Sequence, residues 1–300
     1  MRILSIGFLI MMALGISSPA RAEHDLPPAR MVQIDKDTWI NVRQSGHGPI
    51  AIVFEPGWTM SSAVFERQFS HFADSDRYTF ISFDPRSQGY STKTKIGNEY
   101  LQHGKDINAL LNALGIRKAI IGGWSNGVFG ATSYLNQFGS ARIAGMVLID
   151  GTPRCAGTDD VNQWVWYRYD DADQAKRGWT YGVMYDRKNL DTSFAQWMLE
   201  NPTPDAVKWV SDISDQTPAE AAAMTNETCS YMNFESDVAN FAKTSPLMIT
   251  VREEVRGVAS TWVQTNAPRA NLHVLGKHMM FWEHADQFNQ FLDQFLAQFH

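Results

Sequence analysis

The segment that most constrains the fold is a run of apolar residues that ends in a glycine-rich turn around Ser125. Residues 119–122 have the composition of a short buried strand, and Gly123-Trp124-Ser125-Asn126-Gly127 has the pattern G-x-S-x-G. A helix is predicted directly after Ser125, so this serine would occupy a sharp strand-to-helix turn with its hydroxyl clear of the sheet. Glycines suit such a turn because side chains there would collide with adjacent backbone. The segment therefore predicts a nucleophilic serine at the end of a strand.

Strands and helices alternate through the first half of the chain, which indicates a mostly parallel sheet with helices on both faces. The predicted strands are 31–42, 50–54, 78–83, 119–122 and 146–149, with helices at 64–73 and 100–114.

The pattern then changes to aromatic-rich helices without a convincing buried strand, and it resumes at strands 247–251 and 271–275 and a final helix at 286–299. We therefore predict an α/β core of residues 23–154 and 241–300 that carries an inserted helical cap of residues 155–240.

The first 22 residues have the pattern of a secretory signal peptide. Arg2 supplies a positive start, residues 3–16 are apolar, and Ala20-Arg21-Ala22 is an A-x-A cleavage site. We expect cleavage after Ala22 and a periplasmic or secreted protein; the alternative is an uncleaved N-terminal anchor. No later segment is apolar enough to span a bilayer.

Charge and cysteine content restrict the partners and cofactors. The formal net charge is −6 and no run of Lys or Arg stands out, so nucleic acid is not an expected partner. In an exported chain, the two cysteines Cys155 and Cys229 suggest one disulfide, with two unpaired buried thiols as the alternative. Neither cysteine has a partner at metal-ligand spacing, and no metal or cofactor is predicted. The sequence favours no particular oligomeric state.

A serine hydroxyl needs a base to act as a nucleophile. His278 follows the predicted strand 271–275 and precedes the last helix, where a base can reach the serine in the chain order nucleophile, acid, histidine. His284 is the main rival, predicted as a cap or packing residue, and His273 is predicted to pack within its strand. The other histidines are predicted to be surface or terminal residues: His24, His47, His71, His103 and His300.

Together these residues resemble the α/β-hydrolase superfamily, over residues 35–155 and 245–299. The segment 83–91, Phe-Asp-Pro-Arg-Ser-Gln-Gly-Tyr-Ser, is similar to the D-x-R-G-x-G-x-S loop of that superfamily, with Ser87 where glycine is usual, and is expected to be structural. The segment 278–284 resembles the superfamily's stretch from the catalytic histidine into the last helix. The resemblance implies an oxyanion hole formed by the backbone N–H groups of Trp58 and Asn126. Pro56-Gly57-Trp58 stands where His-Gly-x is frequent, but backbone donors tolerate a change of side chain.

The acid that would orient His278 has two candidates. The position most used in the superfamily follows the strand 247–251, where Glu254 lies one residue from the expected aspartate. The other position is the end of the strand after the nucleophile helix, which Asp150 occupies. We favour Asp150 and keep Glu254 as the alternative.

A serine nucleophile favours acyl transfer to water, from an ester, thioester, lactone or amide, and argues against dehalogenation, for which the resemblance implies an aspartate at position 125. The aromatic cap favours an apolar acyl or aryl ester, with a lactone as an alternative, because aromatic side chains can line an apolar pocket. The alternative is that most of these Trp and Tyr side chains pack the cap onto the core. The leading hypothesis is an exported carboxylic-ester hydrolase. The alternatives are a cofactor-free perhydrolase or haloperoxidase-like enzyme, and a catalytically silent binding protein on the same fold.

Overall fold

A computed structural model describes residues 26–299, apart from the side chains of residues 171–176, and its centre is an eight-stranded sheet. The predicted signal peptide lies outside the described residues. The strands of the sheet are β1 (Ala29–Gln33), β2 (Trp39–Ser45), β3 (Ile50–Glu55), β4 (Tyr78–Phe83), β5 (Ala119–Trp124), β6 (Ile143–Ile149), β9 (Leu247–Val251) and β10 (Asn271–Val274); β7 (Ala156–Gly157) and β8 (Tyr167–Arg168) form a separate pair. The sheet order is β1-β2-β4-β3-β5-β6-β9-β10, in which β2 is antiparallel to both neighbours and all other pairings are parallel.

The helices lie between the strands and over both faces of the sheet. Their bounds are α1 (Glu66–His71), α2 (Tyr100–Ala113), α3 (Gly127–Phe138), α4 (Tyr169–Tyr185), α5 (Arg187–Met198), α6 (Pro204–Ser214), α7 (Ala219–Cys229), α8 (Glu235–Thr244), α9 (Arg256–Asn266), α10 (Met280–Glu283) and α11 (Ala285–Leu296), with 3-10 turns at Ser62–Phe65 and Glu253–Val255.

Two apolar layers hold these helices to the sheet, because successive side chains of a buried strand point to opposite faces. In β5, Ile120 packs in the layer that contains Phe288 of α11, whereas Ile121 packs in the layer that contains Leu110 of α2 and Val128 of α3. Strands that are apolar on both sides therefore need helices on both sides, which confirms the predicted α/β class.

The segment between β6 and β9 contains α4 to α8. The helices α5 and α6 pack in the same apolar layer as α11, through residues such as Phe194 and Val210. The short parallel pair β7–β8 also lies in this segment, where the sequence predicted no buried strand. The predicted cap boundary at residue 240 falls inside α8, whose Val238 and Phe241 pack in the layer of α2 and α3. This last helix therefore packs with the α/β core.

Cys155 and Cys229 form the predicted disulfide, with their Cα atoms 6.0 Å apart. Both are buried, and the bond joins the segment after β6 to the last residue of α7. It therefore ties a helix of the inserted segment to the chain that leaves the sheet. Within residues 26–299, no helix has the length and apolarity needed to cross a membrane.

The loop after β4 is tied to the sheet by one carboxylate. Asp84 Oδ1 accepts hydrogen bonds from the backbone N–H and the hydroxyl of Ser62, both at 2.7 Å. Its Oδ2 accepts from Asn41 Nδ2 at 2.9 Å and from the N–H of Tyr90 at 2.8 Å. Ser87 has a φ of +63°, a region that glycine adopts most readily, at the position where the superfamily usually has glycine. These contacts agree with the structural role expected of this loop.

Candidate active site

Ser125 lies between β5 and α3 in a backbone conformation that close packing enforces. Its φ is +55°, and its N–H donates to the carbonyl of Ile149 at 2.8 Å. A Cβ on Gly123 would lie 2.3 Å from the carbonyl carbon of Gly127, and one on Gly127 would lie 2.5 Å from the carbonyl oxygen of Glu55. Both glycines of G-x-S-x-G are therefore required by the backbone that surrounds the turn.

The structure brings Ser125, His278 and Asp150 together at the carboxyl ends of the strands. Ser125 Oγ lies 2.9 Å from His278 Nε2, and His278 Nδ1 lies 2.5 Å from Asp150 Oδ2. His278 and Asp150 are 1% exposed and Ser125 is 7% exposed. Glu254, the alternative acid, has a side chain that is 56% exposed and lies 3.7 Å from Arg252 Nε. Of the two candidate acids, Asp150 is therefore the one that hydrogen-bonds the imidazole.

Arg252, which the sequence did not single out, contacts the same carboxylate. Its backbone N–H donates to Asp150 Oδ1 at 3.0 Å, and its Nη1 donates to Asp150 Oδ2 at 2.8 Å. Arg252 is the first residue after β9, and β9 pairs with β6, so parallel strands place it beside the residue that follows β6. Arg252 could have been identified only from the pairing of β6 with β9, and the local sequence does not contain that information.

The charge state of this cluster suits a general base. Burial raises the pKa of Asp150, but the His278 hydrogen bond, the His278 charge and the Arg252 guanidinium outweigh burial, so the pKa lies below its usual range. Burial lowers the pKa of His278 below its ordinary value, and Asp150 offsets this only in part. The resting state is therefore a charged carboxylate beside a neutral imidazole, the form that can accept a proton from a serine.

The loop after β3 brings a second backbone segment against the serine. A Cβ on Gly57 would lie 3.0 Å from Ser125 Cβ, so a side chain at this position would crowd the serine. The indole of Trp58 donates to the carbonyl of Ala222 at 2.8 Å, which fixes this loop to α7. Trp58 and Asn126 both line the cavity at Ser125, and among residues 26–299 their backbone N–H groups have no hydrogen-bond partner. Both groups are thus available to an oxygen in the cavity.

A cavity of about 280 Å³ lies over Ser125 and is largely aromatic. Its walls are Trp58, Ser125, Asn126, Trp166, Tyr167, Trp179, Phe194, Trp197, Asn226 and Arg252. Other aromatic residues of the inserted segment lie elsewhere: Trp164 packs on Trp262, and Tyr185 is exposed. The size and lining suit a small apolar group.

Two other histidines behave as the sequence predicted, and one does not. His284 stands at the N-cap position of α11, although its side chain makes no capping hydrogen bond and instead contacts Glu200 at 2.6 Å. His273 stacks on Phe291 with ring centroids 4.0 Å apart. The prediction that His103 is a surface residue is wrong, because it is 2% exposed and its Nδ1 lies 2.6 Å from Glu55 Oε1. His103 lies in the first turn of α2, on the buried face of the helix, where its ring contacts the last residue of β3.

Within the described residues, no cluster of three or more His, Cys, Asp or Glu side chains is arranged to hold a metal ion. Ser125 and Arg252 line the cavity, and His278 and Asp150 follow Ser125 in a buried hydrogen-bonded series, with two backbone N–H groups on the cavity wall. This set can transfer a proton from a hydroxyl and stabilise an oxyanion.

Comparisons with known proteins agree with this architecture. Residues 50–180 match the profile of the family described as alpha/beta hydrolase fold. A non-heme chloroperoxidase from Streptomyces lividans is 29% identical over 125 residues, which cover 41% of this chain and 45% of that protein. The match to this curated relative thus spans less than half of its length.

Two solved structures share nearly the whole fold. A bromoperoxidase from Bacillus anthracis superposes with a TM-score of 0.79 and 20% identity, over 90% of this chain and 100% of that one. An esterase from Exiguobacterium antarcticum superposes with a TM-score of 0.78 and 19% identity, over 89% of this chain and 99% of that one. The chain therefore has the α/β-hydrolase fold, and its residues 50–180 match the family model of that name.

Proposed function

We propose that this protein is a serine hydrolase that cleaves small carboxylic esters with an apolar acyl or aryl group. The observation that carries the proposal is the hydrogen-bonded series from Ser125 Oγ through His278 to Asp150, with distances of 2.9 and 2.5 Å, at the edge of an aromatic cavity. Esterases are among the proteins that share the fold, which supports this class of reaction.

In the proposed reaction, Ser125 Oγ attacks the ester carbonyl while His278 Nε2 takes its proton. The carbonyl oxygen becomes an oxyanion that accepts hydrogen bonds from the N–H groups of Trp58 and Asn126. The C–O bond then breaks, and the imidazolium gives the proton to the departing alcohol. Water, activated by the same imidazole, attacks the acyl-enzyme and releases the acid and free Ser125.

Each partner of the imidazole has a defined part in this scheme. Asp150 holds Nδ1 of His278, which leaves Nε2 to face Ser125, and its negative charge stabilises the imidazolium that forms. The low pKa of Asp150 supports this part, because the carboxylate stays charged through the cycle. The aromatic walls exclude water from the oxyanion, so the backbone hydrogen bonds act in a medium of low dielectric.

The proposal is tested by assaying the purified protein without residues 1–22 against p-nitrophenyl esters of increasing acyl length. Hydrolysis by the wild type, with loss in Ser125→Ala, is the expected result. Turnover of short or aryl esters should exceed that of long-chain esters, because the cavity measures only about 280 Å³. Absence of hydrolysis for every ester would contradict the proposal and favour a binding protein.

A second candidate activity is cofactor-free perhydrolysis, which the chloroperoxidase and bromoperoxidase relatives favour. Hydrogen peroxide would replace water in the attack on the acyl-enzyme, yielding a peracid and free serine. The peracid could then oxidise a halide, and it would itself return to the carboxylic acid. Halogenation of a dye that requires both acetate and peroxide would support this activity, and peroxide-independent or absent halogenation would count against it.

We also propose that the protein is exported, with its signal peptide removed after Ala22. The basis is the sequence pattern of residues 1–22. An exported protein also gives the buried Cys155–Cys229 disulfide an oxidising environment in which to form. Intact mass measured on protein recovered from the periplasm or medium should correspond to a chain that begins at Glu23. A mass that retains the leader would indicate an uncleaved anchor instead.

A further inference from the structure

Among the described residues that line the cavity, Arg252 is the only charged one. Its guanidinium carbon lies 5.3 Å from the ring centroid of Trp166 and 5.4 Å from that of Trp197. The side chain is 13% exposed. Two indole faces attract a guanidinium and restrict its movement, so the cation is held in one place by the inserted segment.

The guanidinium of Arg252 donates a hydrogen bond to the same oxygen of Asp150 that contacts the imidazole of His278. Asp150 Oδ2 accepts from His278 Nδ1 at 2.5 Å and from Arg252 Nη1 at 2.8 Å. The backbone N–H of Arg252 holds the other oxygen, Oδ1, at 3.0 Å. The backbone hydrogen bond alone would fix only the position of Oδ1. Together with the hydrogen bond from Nη1 to Oδ2, it also fixes the orientation of the carboxylate plane. Arg252 therefore sets the direction in which Asp150 meets His278.

The imidazole of His278 is otherwise enclosed by indole rings. The ring centroids of Trp197, Trp124 and Trp166 lie 4.7, 5.1 and 5.9 Å from that of His278. Burial is the main cause of its lowered pKa. The charged groups that act on it, within the described residues, are Asp150 and Glu254, which raise the pKa, and Arg252, which lowers it. Trp166 and Trp197 thus contact both the cation and the base.

We propose that Arg252 is a positioning residue of the reaction, which the paired indoles of Trp166 and Trp197 hold in place so that Asp150 stays charged and directed at His278. This inference rests on the proposed hydrolase function. It assigns the inserted segment a part in assembling the base, in addition to forming the cavity walls. It also commits the one cavity-lining cation to a protein carboxylate, so the favoured substrates are uncharged esters.

The test compares Arg252→Met and Arg252→Lys with the matched control Arg256→Met. Arg256 lies four residues further along, pairs with Glu253 and is 61% exposed, so its replacement removes the same charge away from the cavity. Each protein is assayed with a neutral p-nitrophenyl ester from acidic to alkaline pH. Arg252→Met should lower kcat roughly tenfold to a hundredfold, because it removes a hydrogen-bond partner of Asp150 while Asp150 itself remains, and such outer partners typically contribute a factor of this size.

The pH profile separates positioning from a structural role. Without the guanidinium, His278 should hold its proton more tightly, so the acidic limb of kcat/KM moves to higher pH. Arg252→Lys should recover part of kcat, because an ammonium restores the charge but lacks the planar fork and the stacking surface. Trp197→Leu removes one of the two indoles that hold the Arg252 guanidinium. It should move the acidic limb of kcat/KM to higher pH as well, but by a smaller amount than Arg252→Met. Arg256→Met should leave both kcat and the profile unchanged.

Two outcomes overturn the inference. The first is a lower kcat in Arg252→Met with an unmoved acidic limb, which indicates a structural role. The second is an unchanged kcat with a raised KM for esters that carry a carboxylate, which indicates that Arg252 binds substrate.

A titration by NMR keeps the inference separate from the proposed function. The imidazole signal of His278, assigned by its loss in His278→Gln, is followed with pH in Ser125→Ala and in Ser125→Ala with Arg252→Met. A higher titration midpoint in the double variant supports the inference, and equal midpoints contradict it. Failure of the wild type to hydrolyse any ester would instead contradict the proposed function.

Discussion

Two buried carboxylate–histidine pairs lie among residues 26–299, and they differ in what surrounds them. Asp150 Oδ2 lies 2.5 Å from His278 Nδ1, and Glu55 Oε1 lies 2.6 Å from His103 Nδ1. All four residues are at most 2% exposed. The distance and burial that suggest a general base at the first pair are therefore present at the second as well.

The second nitrogen of each imidazole separates the two pairs. His278 Nε2 faces the hydroxyl of Ser125, which lines the cavity. His103 Nε2 is buried without a hydrogen-bond partner among the described residues. A buried carboxylate–histidine pair is therefore a candidate base only where the fold also supplies a nucleophile and access for a substrate.

The charges around the two carboxylates differ as well. Burial raises the pKa of Glu55, and His103 offsets this only in part while Asp106 adds to it. At Asp150, the contact with Arg252 joins that with His278, and the pKa falls below its usual range. The Glu55 side chain lies against Gly130 of α3, where an added Cβ would be 1.9 Å from Oε2. The Glu55–His103 pair therefore joins β3, α2 and α3 just below the Trp58 loop.

The largest expected effect comes from replacing the groups at the cavity. Ser125→Ala and His278→Ala should each lower kcat by ~10⁴-fold while the fold is retained, because nucleophile and base act as a unit. His103→Ala, corrected for the fraction folded, should lower kcat by less than about tenfold. Ester hydrolysis with circular dichroism as the folding control measures this. Comparable losses of kcat in His278→Ala and His103→Ala would show that the two carboxylate–histidine pairs do not differ in their part in the reaction.

The acid is the next largest expected effect. Asp150→Asn should lower kcat by roughly 10³- to 10⁴-fold, because the amide no longer favours the tautomer that accepts the serine proton. Glu254→Gln should change kcat by less than about threefold, since its carboxylate is 56% exposed and lies 3.7 Å from Arg252 Nε. Steady-state kinetics of both variants decide the matter. Two mild losses would mean that neither residue is the acid.

The Glu55–His103 pair should show its effect in stability. Glu55→Gln should lower the free energy of unfolding by about 3 kcal/mol, because it weakens a buried hydrogen-bonded pair. Lys208→Ala, which removes an exposed pair with Asp212, should lower it by less than about 1 kcal/mol. Urea unfolding followed by tryptophan fluorescence gives both values. A larger effect of Lys208→Ala than of Glu55→Gln would contradict the inference that the Glu55–His103 pair stabilises the packing of β3, α2 and α3.

The smallest expected effect is the position of the pH profile. The pKa of His278 lies below its ordinary value of 6.5 because of burial, so the imidazole stays neutral to a more acidic pH than a free histidine. The acidic limb of kcat/KM should therefore have its midpoint below 6.5, and activity should fall as pH drops through it. The profile is measured with a substrate whose own ionisation lies outside this range. A midpoint above 6.5 would indicate that Asp150 outweighs burial.

The α/β class and the position of Ser125 at a strand-to-helix turn could be predicted because they depend on local pattern. Apolar strand runs, alternating helices and the glycines around Ser125 are all contained in short stretches of sequence. His278 was identified from its position between the last strand and the last helix.

The remaining parts of the site depend on pairing across the sheet. The adjacency of β6 and β9 places Arg252 beside Asp150, and residues 149 and 250 of these strands are paired although they lie far apart in sequence. The burial of His103 depends on how α2 packs on β3, which helical periodicity alone does not specify. The predicted boundary at residue 240 falls inside α8, which packs with the core. Helical periodicity does not distinguish a helix that packs on the core from one in the inserted segment.

Covalent labelling with a fluorophosphonate probe tests whether Ser125 is the nucleophile and His278 activates it. Wild type, Ser125→Ala and His278→Ala are incubated with the probe and digested, and the peptides are identified by mass spectrometry. We predict one adduct in the wild type, on Ser125, with no adduct in Ser125→Ala and greatly slowed labelling in His278→Ala. An adduct that persists in Ser125→Ala, or a wild type that takes up no probe, would contradict the assignment of Ser125 as the nucleophile.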